Sequence, residues 1–511
     1  MCAKLGRWRC RDCTLAIPLC RGCMRTTHLH IPLHRIEYWV GTHFRAAMLC
    51  EVGCYLMVGH RDGVSHCESL RANAAALDLL EQRYDDLAAL NDTEDPLLGG
   101  DSNAPSTEPF TSTKTSSQIP RQNDLRHNIV RIVHHNGIHH LALLTCACRG
   151  LENICLDLMY RRLVVTSFVN HRTLFTADVL DYFRLVNLEL KGSAYQFFQL
   201  LRRLTLPMAP QEAPNLYHEL RRLSRLWRWL KKRKWGGEGH ISETHGEAVR
   251  PPLVPFCPAC PQPERNIPKN WKWSIIKWVY RRYFVIDGNF KVDHVRQKHA
   301  ALDMWLSRGR GMMPDPDIYA SFLKSAVERS TKAPCETHFR AIEQALLASK
   351  ACDITGVVAA ACARHGCYAP GSLCNLFKSE QQKNADFALL QAISTTNVDP
   401  AQGVMIMYDI ACQYCIHLRA RIGHLLPEGL EIDRAIGLFH VHGHKDQCFF
   451  RYSPSFIPKS GKVAGEILES LWSILNHIAP STRTTTLGHR AEILDDHTSD
   501  SNRKKGLGMG K

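Results

Sequence analysis

Between Cys10 and His34 the chain reads "CRDCTLAIPLCRGCMRTTHLHIPLH", four cysteines and three histidines in 25 positions. No other feature constrains the fold so tightly. A segment this small buries too little apolar surface to fold alone, so metal binding is expected to be coupled to its folding. Cys10/Cys13 and Cys20/Cys23 are two CxxC pairs. Each can turn tightly and offer both thiolates to one tetrahedral ion, and zinc suits such sulfur and imidazole donors. His28, His30 and His34 follow at short spacing, and His60 with Cys67 completes a second set, enough for two ions with interleaved ligands. The pairing of ligands stays open at this point. A set of buried free cysteines is the alternative, and it accounts for the residue type but not for the repeated pairs.

The number of cysteines, 21, is odd. Together with an N-terminus that lacks the apolar core of a signal peptide, this argues for metal ligands in a reducing compartment, cytosol or nucleus, over a disulfide framework. No apolar run approaches a membrane helix, so no membrane partner is expected. Lys and Arg total 64 against 49 for Asp and Glu, a net charge of +15. That balance favours an acidic partner, most simply nucleic acid.

At 511 residues the chain exceeds one core. The composition divides it into a Cys/His module over 8–67 and a polar disordered linker or insertion over 68–125, Pro/Ser/Thr-rich over 94–125. A basic region with helical periodicity follows over 151–235, and 236–269 is a linker carrying "CPAC". An α/β domain over 270–500 completes the division, and the whole is a multidomain α+β protein. In the last domain "RRYFVID" and "GVMIMYD" are apolar runs ending on Asp287 and Asp409, while Glu466 and Glu469 lie three apart in "GEILESLWSIL", a helical pattern. If the two strands are neighbours and the helix crosses their ends, three carboxylates converge. Such oxygen ligands hold paired Mg²⁺ or Mn²⁺ ions for in-line displacement at a phosphodiester. An aspartate that merely caps the next turn is the plainer reading.

The run "LRRLSRLWRWLKKRKW" sets Leu220, Leu223, Trp227 and Leu230 on one helix face and eight cations around the rest: Arg221, Arg222, Arg225, Arg228, Lys231, Lys232, Arg233 and Lys234. Such a stripe can lie along phosphates, and Trp229 and Trp235 could stack on bases. A solvated helix face is the alternative.

The segments "WRCRDC…PLCRGCMRTTHLHIPLHRIEYW", "NGIHHLALLTCACRG", "CPACPQP", "YRRYFVIDGNFKVDH", "CARHGCYAP", "YDIACQY", "LFHVHGHKDQCFFRYSPSFIP" and "GEILESLWSILN" together resemble the KDZ transposases, eukaryotic DNA-transposon proteins with an N-terminal cysteine-cluster domain. The resemblance implies an RNase H-like core with a D-D-E triad. Asp287 and Asp409 are then the first and second acids, and Glu466 or Glu469 the third, because this chain reads Ala464-Gly465-Glu466 where relatives often have Asp-Gly-Glu. It also implies a zinc-stapled insertion between the first two acids, from Cys335, His338, Cys362, His365 and Cys367. Cys146 and Cys148, with His139, and Cys257 with Cys260 are further zinc candidates, the first pair extending the cysteine-cluster module over 126–150. His440, His442 and His444 alternate in "HVHGH" and, on a strand, would point to one side.

On this reading the chain is a nuclear enzyme that cuts and joins DNA. Zn²⁺ is structural and Mg²⁺ or Mn²⁺ catalytic, with transposon ends and target DNA as partners, chromatin proteins as further ones, and an oligomer as an option. Relatives continue into more helical sequence beyond the point where this chain stops, which raises a second reading: a catalytically inactive or domesticated zinc- and DNA-binding derivative. A zinc-based protein-interaction adaptor is the third.

Overall fold

The computed structural model describes residues 4–15, 17–60, 67–91, 119–146, 148–240, 252–297, 303–328, 351–377 and 379–509. They fall into two compact units, 1–224 and 225–511.

In the first unit β1 (Trp8–Cys10), β2 (Ile36–Trp39) and β3 (Phe44–Ala47) form an antiparallel three-stranded sheet, and α1 (Arg21–His28) lies between β1 and β2 in the chain. After β4 (Tyr55–Val58) comes α2 (Glu68–Asn91). The expected linker therefore opens as a helix of 24 residues. Its sequence explains why: it is rich in Ala and Leu and free of Gly and Pro. Asp78, Glu81 and Asp85 fall on one side at i, i+3 and i+7. Arg25 pairs with Asp78, and Arg21 with both Glu81 and Asp85. The following residues up to 118 lie outside the described ones.

Next come β5 (Ile129–His134), β6 (Gly137–Thr145), α3 (Leu151–Tyr160), β7 (Leu163–Val165), β8 (Thr173–Thr176), α4 (Ala177–Leu190) and α5 (Ala194–Thr205), and α6 (Tyr217–Trp235) begins in this unit and continues into the second. The region expected to be helical thus also contributes two strands. They complete a mixed sheet in the order β4-β6-β5-β8-β7. Strand β6, flanked by β4 and β5, is buried along nearly its whole length, as a strand covered on both faces should be. Trp8, Cys10 and Met24 of the opening module share one hydrophobic core with Val130, Ile132 and Leu141 of this sheet.

The second unit is built on β9 (Arg282–Asn289), β12 (Gly356–Cys362), β13 (Cys374–Leu376), β14 (Val404–Met407) and β15 (Ile432–Ala435). The order is β13-β12-β9-β14-β15. Strands β9, β12 and β13 pair antiparallel, whereas β14 runs parallel to both β9 and β15. A short ribbon of β10 (His294–Val295) and β11 (Cys352–Ile354) stands apart. Side chains alternate between faces, as a strand demands. Phe284, Ile286, Val358, Ala360, Val404 and Ile406 pack with Ala385, Ala388, Leu389 and Ala392 of α8 (Gln382–Thr395), near Tyr319 of α7 (Pro316–Ser325). Val285, Val357, Ala359, Met405 and Met407 pack on the other face, with Leu468, Leu471, Trp472 and Leu475.

The short helices α9 (Ala411–Tyr414), α10 (Leu418–Ile422) and α11 (Asp446–Tyr452) follow β14 and β15. The chain then forms α12 (Ile467–Asn476), α13 (Ala479–Thr482) and α14 (Leu487–Gly508). A sheet between two helical layers is one of the stable ways to bury both of its faces. Among the described residues no helix is long and apolar enough to cross a membrane.

Candidate carboxylate site and metal centres

In the parallel pair β9/β14, Val285 stands beside Met407. Asp287 comes two residues later on β9, and Asp409 follows two residues past the end of β14, close enough for its charge to act on Asp287. This is also where the connections leave in opposite directions, through β12 and β13 on one side and β15 on the other. The crevice at the carboxyl ends of such a switch point is the usual place for a ligand site in open α/β sheets.

Both oxygens of Asp287 are held. Gly288 N–H donates to Oδ1 at 2.8 Å and Trp472 Nε1–H to Oδ2 at 2.7 Å. Asp409 accepts from His440 Nδ1 at 2.5 Å, and the opposite ring nitrogen of His440 lies 2.8 Å from Glu469 Oε1. Glu469 and Asp287 line one open cleft of about 870 Å³, with Lys291 and Trp472.

The two glutamates separate. Glu466 sits at the N-cap of α12, outside the helical face that carries Glu469. Its Oε1 accepts Phe439 N–H at 2.7 Å, close against Gly437, where a Cβ would come within 2.4 Å of that oxygen. Glu466 therefore braces a loop, and Glu469 faces the site.

A fourth acid, Glu380, is absent from the sequence reading because "KSEQQK" carries no motif. Tyr408 O–H donates to it, and Gly288 leaves room for it, since a Cβ there would lie 2.2 Å from Glu380 Oε2. Burial pushes the Glu380 carboxyl up to about 7. Burial, then the charges of Asp409 and Glu380, push Asp287 well above the usual carboxylate range. Hydrogen bonding to Asp409 lifts His440 to about 9, so it is an imidazolium at neutral pH. Crowded acids that repel one another, each an oxygen donor, fit hard divalent cations. Asp287, Asp409 and Glu469 would hold them.

The expected strand through "HVHGH" is instead a single 3-10 turn, His440–Gly443. His440, His442 and His444 therefore do not share one strand face. His442 packs against Phe449, and His444 reaches Cys412.

Among the described residues, four groups of Cys and His bring their ligand atoms within 4.8 Å of one another. Tetrahedral ligands 2.0–2.3 Å from zinc stand about 3.3–3.8 Å apart, so all four are compatible with structural zinc. The first joins Cys10, Cys13, His28 and His34. Sulfur-to-nitrogen distances of 3.5 Å link Cys10 to His34 and Cys13 to both histidines. Cys20, Cys23 and His30 stand outside it. Cys20 caps the start of α1 and His28 ends it, which puts roughly 12 Å of helix between them.

The second group joins His60, Cys67, Cys146 and Cys148, with Cys148 Sγ 3.0 Å from His60 Nε2. His139 is not among them and bonds Asn136 instead. The third joins Cys257 and Cys260 to Cys362 and His365, at distances of 3.1–3.4 Å. Cys362 ends the inner strand β12, so "CPAC" meets the end of a strand of the central sheet. Cys367 touches Cys257 from beside this group, and hydrogen bonds from Cys260, Cys362 and Cys367 lower the Cys257 thiol. Cys335 and His338 lie outside the described residues. The fourth group joins Cys412, His444 and Cys448, while Cys415, the CxxC partner of Cys412, is not among them.

On helix α6 three of the eight cations meet acids. Arg225 pairs with Glu492 at 2.7 Å, Arg228 with Asp496 at 3.4 Å and Lys232 with Asp495 at 2.9 Å, all acids of α14. Arg222 donates to the Thr166 carbonyl but is exposed, as is Lys234, while Arg221, Lys231 and Arg233 are half-buried.

Residues 280–502 match the family model described as Kyakuja-Dileera-Zisupton transposase. Residues 112–208 match the one described as CxC2 like cysteine cluster associated with KDZ transposases. No curated protein and no solved structure matches the chain.

Proposed function

From the match of residues 280–502 to the KDZ transposase model and of residues 112–208 to its associated cysteine cluster, we propose that the chain is a DNA strand transferase of the KDZ kind, working through a D-D-E carboxylate site. The observation that supports this reading is the parallel pairing of β9, which carries Asp287, with β14, which Asp409 follows, beside an interaction of the two carboxylates. The same sheet order supports an RNase H-like core within 270–500. Glu469 is the third acid, because it shares His440 with Asp409 while Glu466 is spent on the Phe439 amide.

Bound Mg²⁺ or Mn²⁺ would activate the attacking water or 3′-hydroxyl and stabilise the leaving oxygen. The side chains do the remaining work. Trp472 and Gly288 fix the Asp287 carboxylate in orientation. His440 holds Asp409 and Glu469 together and carries positive charge where a phosphodiester would lie. Lys291, on the cleft wall, supplies another cation for the backbone of DNA. Three acids alone would repel a nucleic acid, so these cations and the net charge of +15 are needed for approach. The nucleus, transposon ends and a target duplex follow as setting and partners. Zinc in the Cys/His groups has a structural role.

A plasmid-nicking assay with Mg²⁺ or Mn²⁺ tests the reading. Asp287→Asn keeps the shape and removes the charge, and should abolish nicking while DNA binding persists. Equal nicking by Asp287→Asn and the parent would reject the site.

A further inference from the structure

Cys412, His444 and Cys448 come from three separate short elements: α9, the end of the 440–443 turn, and α11. Their ligand atoms nevertheless lie within 4.8 Å of one another, with Cys412 Sγ 3.6 Å from His444 Nδ1. Both cysteines are buried, at 1% and 8% exposure. We propose that these three side chains hold a zinc ion that staples the His440 turn to the end of strand β14.

The donor chemistry selects the metal. Two thiolates and an imidazole are soft and borderline donors that prefer Zn²⁺ to the Mg²⁺ favoured by carboxylates. Three protein ligands leave the fourth tetrahedral position to water. Charge balance fits the location, because Zn²⁺ with two thiolates and a neutral histidine is neutral overall. An ion there neither attracts the carboxylates of the neighbouring site nor repels a phosphate. The His444 ring is also hydrogen-bonded to the main chain of Asp409. Such an outer contact commonly orients a metal-bound histidine.

Position gives the staple its consequence. Cys412 follows Asp409 by three residues, and His444 follows His440 by four. Tying Cys412 to His444 therefore ties the strand end that carries Asp409 to the turn that carries His440, the two groups that meet at 2.5 Å. Cys448, on α11, anchors the far side of the turn. The metal site itself stands on the three ligands alone. Its effect on the acids rests on the carboxylate reading above, so the test reads metal and not activity.

Zinc per chain is counted by native mass spectrometry on the full-length protein, for the parent and for His444→Ala, Cys448→Ala, His444→Cys and Cys415→Ala. His444→Ala and Cys448→Ala should each carry one zinc fewer than the parent. His444→Cys supplies a third thiolate and should carry the parent's number, as should Cys415→Ala, which alters a neighbouring cysteine outside the group. An unchanged count in both alanine variants overturns the proposal. Should those variants not fold, a zinc-edge anomalous map of the parent protein decides: a peak among the three side chains supports the site, and its absence in zinc-supplemented protein rejects it.

Discussion

The two units use similar ligands in different ways. In residues 4–224, Cys10 of the first metal-type group belongs to the same core as the neighbouring sheet, so ligand and core are one structure. In the second unit the two faces of the sheet have cores of their own. There Cys257, Cys260, Cys362 and Cys367 form a separate cluster. The first unit should therefore depend on its metal for its fold, and the second should use metal to fasten a segment to a sheet that stands without it.

The largest effect that could break this comparison is on folding. Cys10→Ser with Cys13→Ser removes half of a site of a kind that contributes roughly 10–16 kcal/mol to folding, comparable to the whole stability of a domain. Hydrogen exchange should then rise through the first unit, including β5 and β6, while β9 and β14 stay protected. Cys257→Ser with Cys260→Ser should expose residues near 257–266 and leave the central sheet protected. If both double variants unfold both units, the contrast is wrong.

A smaller effect sharpens the account of helix α6. Lys232→Ala leaves the Asp495 carboxylate, 1% exposed, without its ion-pair partner. The expected cost is about 3–5 kcal/mol, read as a fall in the denaturation midpoint of the second unit. Arg222→Gln with Lys234→Gln, at exposed positions, should cost little stability and lower the salt slope of DNA binding. An unchanged slope would assign those two cations to solvent.

Smaller again is the acid response of the first unit. Burial pulls His139 down to about 3 and His140 to about 4. An unfolded chain would protonate both near 6.5. Their contribution to stability is thus present above 6.5 and is lost as the pH falls towards 4, at about 1.4 kcal/mol per histidine per pH unit. In an NMR titration neither ring should change charge above pH 5, and titration of either near 6.5 would contradict its burial.

What could be read from the chain alone follows from how local each signal is. The runs ending at Asp287 and Asp409 are legible as strands because four or five consecutive apolar residues are buried on both faces. Their adjacency is a matter of topology, and no local pattern encodes it. CxxC spacing marks Cys10/Cys13 and Cys257/Cys260 as half-sites, but the completing ligands arrive from as far away as Cys362 and His365. Helix α2 was hidden beside a polar stretch, although its Ala/Leu content and its one-sided acids were there to be read. The cations of α6 look solvated in sequence, since nothing near them shows that Glu492, Asp495 and Asp496 will come to meet them. Glu380 had no spacing signal, and the CxxC of Cys412 points to Cys415 where the fold instead brings up His444 and Cys448.

The central claim is that Asp409 and Glu469, joined through His440, belong to one metal-binding carboxylate site while Glu466 does not. Strand nicking measured in Mg²⁺ and Mn²⁺ for Glu469→Gln and Glu466→Gln side by side tests it most directly. Glu469→Gln should lose nicking with DNA binding retained, and Glu466→Gln, once shown to be folded, should keep most of it. Full activity in Glu469→Gln with loss in a folded Glu466→Gln would contradict the account.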